Sequence, residues 1–196
     1  MREFPILRLL SVLLVLLSIA CNSGRDGESG LSQTVRASNQ QSEGSGPTLD
    51  RGTAFLSVGE HEIVINYGRP ELAGRDMLSQ LQAGSVWRLG MNEATEIEST
   101  SALRAAGKTI PAGRYTLFAR YLGGEHWELL FNQKMGQWGA FEHDPALDIA
   151  SLPLSLERSS ESTDRLTLGL EPQSHDSGRL TIAWGSLRLA LDFRLE

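Results

Sequence analysis

Residues 180–193 read LTIAWGSLRLALDF, and this stretch decides the fold class. Apolar residues occupy every second position on both sides of a Gly185-Ser186 turn signal. Successive side chains of a β-strand point to opposite faces, so the alternation predicts two half-buried strands joined by a tight turn. The same period of two recurs in residues 115–121 and 165–170.

Further segments with strand-like composition are separated by glycine-containing turns, which raises the predicted number of strands to about nine or ten. These segments are residues 53–58, 61–67, 95–100, 126–132 and 151–156. Many short strands with tight connections predict a mainly β fold, either an antiparallel β-sandwich or a jelly-roll-like barrel. One short helix is expected after Asp76, which can cap it, with Met77, Leu78 and Leu81 on one side and Gly84 after its end.

Composition excludes several classes of protein. The chain has 196 residues, a net charge of −6 and one cysteine. Its only lysines, Lys108 and Lys134, do not provide the basic face that binding to nucleic acid requires. A single cysteine cannot form an intramolecular disulfide or a cysteine-based metal site, and the four histidines share no metal-ligand spacing. We therefore expect no metal and no cofactor.

The N-terminus indicates export. Residues 9–20 are almost wholly apolar but too few to span a membrane, so residues 1–20 are predicted to be a signal peptide. Residues 17–21 resemble the lipobox of bacterial lipoproteins, with Ser18 where that pattern prefers leucine. The resemblance implies a lipid on Cys21 that anchors the mature protein in the cell envelope, at the periplasmic face or the cell surface. The alternative is ordinary secretion with a free thiol.

Two composition shifts divide the rest of the chain. Residues 21–50 are rich in Gly, Ser, Asn and Gln and contain no aromatic residue. Such a segment cannot bury enough apolar surface to offset its ordering entropy, so we expect a lipidated N-terminus followed by a disordered tether. Residues 51–196 contain all the tryptophans and tyrosines and are predicted to form a single β domain.

Candidate functional residues concentrate in loops that border strands, where binding residues are commonly found. The sequence contains no nucleophile elbow, zinc-protease, calcium-loop or dinucleotide-binding motif, and Gly107-Lys108-Thr109 is better explained as a hairpin turn than as part of a phosphate loop. Residues 66–76 and 86–95 are rich in arginine, glycine and polar side chains. Arg88 and Glu93 could instead form a structural ion pair.

Several motifs resemble one bacterial family. They are INYGRP at 65–70, Gly74-Arg75, VWRLGMNEAT at 86–95, GKTIPAGRYTL at 107–117 and QWGAF at 137–141. Together they look like the family catalogued as domain of unknown function 2911. The resemblance covers nearly all of residues 51–196 and implies an exported, mainly β domain. It supplies no catalytic residues.

Three hypotheses about function remain open. The first is a non-enzymatic binding module, because tryptophan faces beside Asn, Glu and Arg suit sugar rings or peptide segments. Its candidate binding residues are Arg69, Arg75, Trp87, Arg88, Asn92, Glu93 and Trp138. The second is a glycan hydrolase in which Glu93 shares acid–base chemistry with Asp76 or Asp144, provided that the two carboxylates lie about 5–9.5 Å apart. The third is a structural envelope protein in which the candidate cluster is buried and fully paired.

Overall fold

Alternating apolar residues build an antiparallel sheet of thirteen strands. The computed structural model describes residues 36–41, 50–76, 79 and 81–196. The strands are β1 (Arg36–Gln41), β2 (Arg51–Val58), β3 (His61–Gly68), β4 (Val86–Trp87), β5 (Thr95–Ser99), β6 (Leu103–Ala105), β7 (Lys108–Ile110), β8 (Gly113–Gly123), β9 (His126–Asn132), β10 (Asp148–Leu156), β11 (Thr163–Ser174), β12 (Ser177–Gly185) and β13 (Leu187–Leu195).

The sheet curls into a nearly closed barrel. Its strand order is β1-β2-β3-β5-β8-β9-β10-β13-β12-β11, while β4 pairs with β8 and the β6–β7 hairpin joins β13. The segment after β3 bonds to the start of β11: Leu72 N donates to Asp164 O at 2.6 Å, and Leu166 N donates to Pro70 O at 3.0 Å. These bonds link two distant parts of the chain beside the candidate residues.

The core follows the period of two. In β2, Ala54, Leu56 and Val58 are fully buried, and the residues that alternate with them along the strand are half-buried. In the C-terminal hairpin, Ile182 and Leu189 are buried inside the barrel. Each such aliphatic side chain contributes about 1.5–3 kcal/mol when fully buried. The predicted mainly antiparallel β fold is confirmed.

Strand β8 is buried on both faces. Leu117 faces the barrel core, whereas Phe118 belongs to a smaller cluster that also contains Leu130. The segment between β9 and β10 covers this outer cluster, and the ring of His143 meets that of Phe118 edge-on at 4.8 Å. We call residues 133–147 the covering loop. It lies next to the candidate site.

The predicted strand segments all appear, and four strands were not predicted. The unpredicted strands are β1, β4, β6 and β7. The helix expected after Asp76 falls partly on residues 77, 78 and 80, which lie outside the described residues. Asp76 Oδ1 accepts a hydrogen bond from Ser79 N at 3.0 Å. In the part of the chain that the structure describes, helical geometry is limited to the 3₁₀ turn Pro145–Leu147. Ala106-Gly107 forms the turn of the β6–β7 hairpin, as expected.

Strand β1 falls within the range predicted to be a disordered tether. It pairs antiparallel with β2 over its full length, from Arg36 opposite Ser57 to Gln41 opposite Gly52. An edge strand needs only backbone hydrogen bonds on one side, so polar composition does not exclude it. The signal peptide at residues 1–20 and Cys21 lie outside the described residues. No helix within the described ranges is long and apolar enough to cross a membrane.

Candidate functional site

The turn after β4 presents Arg88 in a constrained backbone. Leu89 and Asn92 adopt left-handed conformations, with φ of 54° and 61°. For a buried leucine this costs about 1–3 kcal/mol, so the surroundings must hold it in place. Thr95 does so: its Oγ1 donates to Leu89 O at 2.8 Å, and its backbone N donates to Arg88 O at 3.1 Å.

Close contact between backbones fixes this turn against β3. A Cβ atom on Gly68 would lie 2.4 Å from Met91 O, and one on Gly90 would lie 3.1 Å from Gly68 N. The first contact leaves no room for a side chain at Gly68, and the second shows that Gly90 also packs tightly against Gly68. Arg69 follows directly, so the glycine places Arg69 and the turn that carries Arg88 side by side.

These elements enclose a cleft of about 710 Å³, within the range of small-molecule sites. We call it the Trp–Arg cleft. Its apolar lining includes Leu81, Val86, Trp87, Met91, Ala140 and Trp184. Its charged lining is Arg69, Arg75, Arg88, Arg165, Asp50 and Glu71.

Two stacked tryptophans form the apolar side of the cleft. The rings of Trp87 and Trp184 lie 5.5 Å apart with an interplanar angle of 17°. Trp184 is only 6% exposed, and its Nε1–H has no hydrogen-bond partner in the described structure. A buried indole N–H usually finds such a partner. Trp87 is half-buried and lies in the short strand β4.

The two carboxylates of the cleft both bind Arg165. Asp50 and Glu71 each form an ion pair with its guanidinium. The hydrogen bond that Arg165 donates to Glu71, together with the charge of Asp50, raises the pKa of Arg165 above its usual range. Asp50 also lies 3.8 Å from Arg69 Nη1.

Arg69 is the most deeply placed cation of the cleft. It is 8% exposed, and its Nε–H has no partner in the described structure. Gly52 makes room for it, because a Cβ there would lie 2.6 Å from Arg69 Cδ. Beside it, burial raises the pKa of Tyr67 although Arg69 acts in the opposite direction, and the Tyr67 hydroxyl donates to Leu168 O at 3.4 Å.

Arg75 and Arg88 are held by carbonyl groups. Arg75 donates from Nε to Leu72 O at 3.1 Å and from Nη2 to Glu71 O at 2.8 Å. Arg88 donates from Nε to Gly90 O at 3.2 Å. Neither arginine forms an ion pair with a carboxylate of the described ranges. Both guanidinium groups are therefore oriented without being neutralised.

The comparison with known proteins places this domain in a family. A family model described as a protein of unknown function (DUF2911) matches residues 50–193. The chain belongs to the DUF2911 family. The matched range contains every residue that lines the Trp–Arg cleft. No curated protein and no solved structure matches the chain.

Four of the seven candidate binding residues line the cleft of this DUF2911 domain: Arg69, Arg75, Trp87 and Arg88. The other three, Asn92, Glu93 and Trp138, do not line it.

Those three residues join the turn after β4 to the covering loop. Asn92 O accepts a hydrogen bond from Gly139 N at 3.0 Å, and Glu93 forms an isolated β-bridge with Trp138. Glu93 Oε2 accepts a hydrogen bond from Arg51 Nη1 at 2.9 Å. Glu93 therefore forms its ion pair with Arg51 and not with Arg88, the partner that the sequence suggested.

The candidate catalytic carboxylates do not meet in the cleft. Asp144 Oδ1 accepts a hydrogen bond from Ala146 N at 3.0 Å and caps the 3₁₀ turn, while Asp76 binds Ser79 N. Glu93 binds Arg51. In the described parts of the chain, no three His, Cys, Asp or Glu side chains group in a way that could hold a metal ion.

Sequence reasoning missed four residues that define the cleft: Asp50, Glu71, Arg165 and Trp184. Trp184 is buried in a strand of alternating apolar residues, but its ring also forms part of the cleft. Arg165 lies 94 residues from Glu71 in sequence, and the two meet only because the barrel nearly closes. No local pattern marks that contact.

Proposed function

We propose that this member of the DUF2911 family is a ligand-binding module and that the Trp–Arg cleft is its binding site. The observation that carries the proposal is the combination, in one concave site, of a stacked tryptophan pair with two guanidinium groups, those of Arg75 and Arg88, that have no carboxylate partner among the described residues. A site of mostly apolar lining with a few oriented polar groups is typical of small-molecule binding.

The geometry favours binding over the two other hypotheses. A purely structural cluster would have all its charges paired, yet Arg75 and Arg88 form no ion pair within the described residues. Glycan hydrolysis would need two acidic groups free to exchange protons across the bound sugar. The acidic residues of the cleft, Asp50 and Glu71, are instead bound to Arg165.

The proposal includes a location. The apolar run before Cys21 and the lipobox-like residues around it support export and lipid attachment to the bacterial cell envelope. The polar sequence that follows would hold the barrel away from the membrane surface. A carbohydrate or peptide fragment from the envelope is then an accessible ligand for the cleft.

Replacing Cys21 with alanine tests the location. We expect Cys21→Ala to move the protein from the membrane fraction to the soluble fraction, because acyl chains on this residue supply the anchor. Ser23→Ala, two positions further on, should remain in the membrane fraction. Immunoblots of separated fractions measure both. A Cys21→Ala protein that stays in the membrane fraction contradicts the lipid anchor.

A thermal-shift screen tests the binding site. The full chain is screened against oligosaccharides, peptides and small organic acids; a ligand at about 100 times its Kd stabilises the folded state by about 2.7 kcal/mol. Trp87→Ala is expected to abolish the stabilisation, because it removes the half-buried partner of the tryptophan pair. Trp138→Ala is the matched control, since Trp138 is 47% exposed but lies outside the cleft. Equal stabilisation of both variants would place the site elsewhere.

A further inference from the structure

The charges of the Trp–Arg cleft do not balance. Four arginines and two carboxylates line it, and Arg165 binds both carboxylates. Asp50 is also near Arg69, but at 3.8 Å. Arg75 and Arg88 form no ion pair within the described residues, so the cleft carries excess positive charge. A cleft lined by one sign of charge attracts ligands of the opposite sign.

Buried donors of the cleft also lack acceptors. Arg69 is more than nine-tenths buried, and its Nε–H has no partner in the described structure. The Nε1–H of Trp184, a side chain that is slightly more buried than Arg69, lacks a partner too. Buried polar groups in native proteins are normally hydrogen-bonded, so the described protein atoms leave the hydrogen bonding of these two lining side chains incomplete. An oxyanion offers several acceptor positions at once.

The apolar lining of the cleft favours a flat, apolar group. Trp87 and Trp184 stack in nearly parallel planes, and Leu81, Val86 and Met91 also line the cleft. An inorganic anion would leave these side chains uncovered. A ring that stacks on Trp87 would cover them.

We infer that the Trp–Arg cleft binds a small organic anion whose oxyanion lies among the arginines and whose flat apolar ring lies against Trp87. This inference rests on the proposed function, because it names the class of ligand for the same cleft. The oxyanion can be a carboxylate or a phosphate, since guanidinium groups bind both in a bidentate manner. A neutral sugar or an uncharged peptide fragment would use neither the excess charge nor the orphan donors in full.

Titration calorimetry on the full chain, with matched probes, tests the inference. Indole-3-acetate and phenyl phosphate carry both the ring and the charge, indole-3-acetamide carries the ring alone, and acetate carries the charge alone. We expect at least one ring-bearing anion to bind at least about tenfold more tightly than the amide and acetate, because charge-assisted hydrogen bonds are stronger than neutral ones. Which of the two anions binds better identifies the source of the oxyanion.

Arginine variants provide the matched controls. Arg88→Gln and Arg75→Gln should each weaken binding of the preferred anion by about tenfold and leave binding of the amide unchanged. Arg114→Gln should change neither, because Arg114 lies outside the cleft and beside Glu96 and Glu98. Circular dichroism checks that each variant is folded, and Arg75, whose side chain is exposed, gives a second test if Arg88→Gln does not fold.

The outcomes separate this inference from the proposed function. If the amide binds as tightly as the anions and Trp87→Ala abolishes its binding, the cleft is a binding site but the anionic class is wrong. If an anion binds and neither Trp87→Ala nor the Arg75 and Arg88 variants weaken it, the cleft is not the site and both proposals are wrong. If no probe binds at millimolar concentrations, the inference is contradicted, and the wider thermal-shift screen decides the proposed function.

Discussion

Replacing Phe118 with alanine is expected to lower the free energy of unfolding by about 3–5 kcal/mol, the usual cost of removing a buried aromatic ring. Phe118 is fully buried, but it faces away from the barrel and packs in the outer cluster with Leu130. The ring of His143 lies against it at 4.8 Å. The substitution would therefore leave a cavity beneath the covering loop. Urea unfolding followed by circular dichroism measures the loss.

Phe141 is the matched control for this experiment. It lies in the same covering loop but is 77% exposed. Phe141→Ala should change the free energy of unfolding by no more than about 0.5 kcal/mol, as is usual for surface substitutions. If the two variants lose stability equally, the outer cluster does not act as a second core.

Replacing Asn132 with leucine is expected to cost about 3 kcal/mol or more, because several buried polar groups lose their partners together. Asn132 is fully buried at the end of β9. Its Nδ2 donates to Asp144 O at 2.9 Å and to Asp148 Oδ1 at 2.7 Å. Its Oδ1 accepts from Lys134 N and from Gln137 Nε2, both at 3.1 Å. Leucine has nearly the same shape but can make none of these bonds.

Asn66→Leu is the matched control. Asn66 lies on β3, is exposed, and accepts one side-chain hydrogen bond from Thr53 at 2.8 Å. Its replacement should change stability by no more than about 0.5 kcal/mol. Guanidinium unfolding curves measure both variants. An Asn132→Leu protein as stable as Asn66→Leu would show that the network does not hold the covering loop.

The strands that could be predicted have five or more residues, and in several of them burial follows a period of two. Strand β2 alternates half-buried and buried along its full length, so its sequence carries the pattern. Strands β4, β6 and β7 have only two or three residues, too few for any period to appear. Strand β1 is polar and is defined by its backbone pairing with β2. Such strands form because their backbones pair with neighbouring strands, not because their own side chains alternate.

The candidate site was only partly predictable for a related reason. Arg69 and Arg88 could be found because Arg69 follows Gly68 and Arg88 lies two positions before Gly90, both in loops that border strands. Asp50 and Arg165 could not, since they reach the cleft only when the first and last parts of the barrel meet. Asn92 was assigned to binding for its polar side chain, whereas its left-handed backbone gives a structural reason for asparagine there.

The orphan donors of the cleft connect the fold to the proposed function. Closure of the barrel brings Arg165 to Asp50 and Glu71, which occupies both carboxylates and leaves Arg75 and Arg88 without acidic partners among the described residues. The same closure packs Trp184, from the C-terminal hairpin, against Trp87. A ligand that supplies acceptors to Arg69 and Trp184 would complete the hydrogen bonding that the barrel leaves unfinished.

The most direct test of the central claim is a ¹H–¹⁵N spectrum of the tryptophan indole groups, recorded while the full chain is titrated with indole-3-acetate and, separately, with phenyl phosphate. The four indole N–H signals report separately on the cleft and on the rest of the domain. We predict saturable shifts for Trp184 and Trp87, with the signals of Trp127 and Trp138 unchanged because neither lines the cleft. Shifts confined to Trp127 or Trp138, or no shift in any of the four, would contradict an anion-binding site in the Trp–Arg cleft.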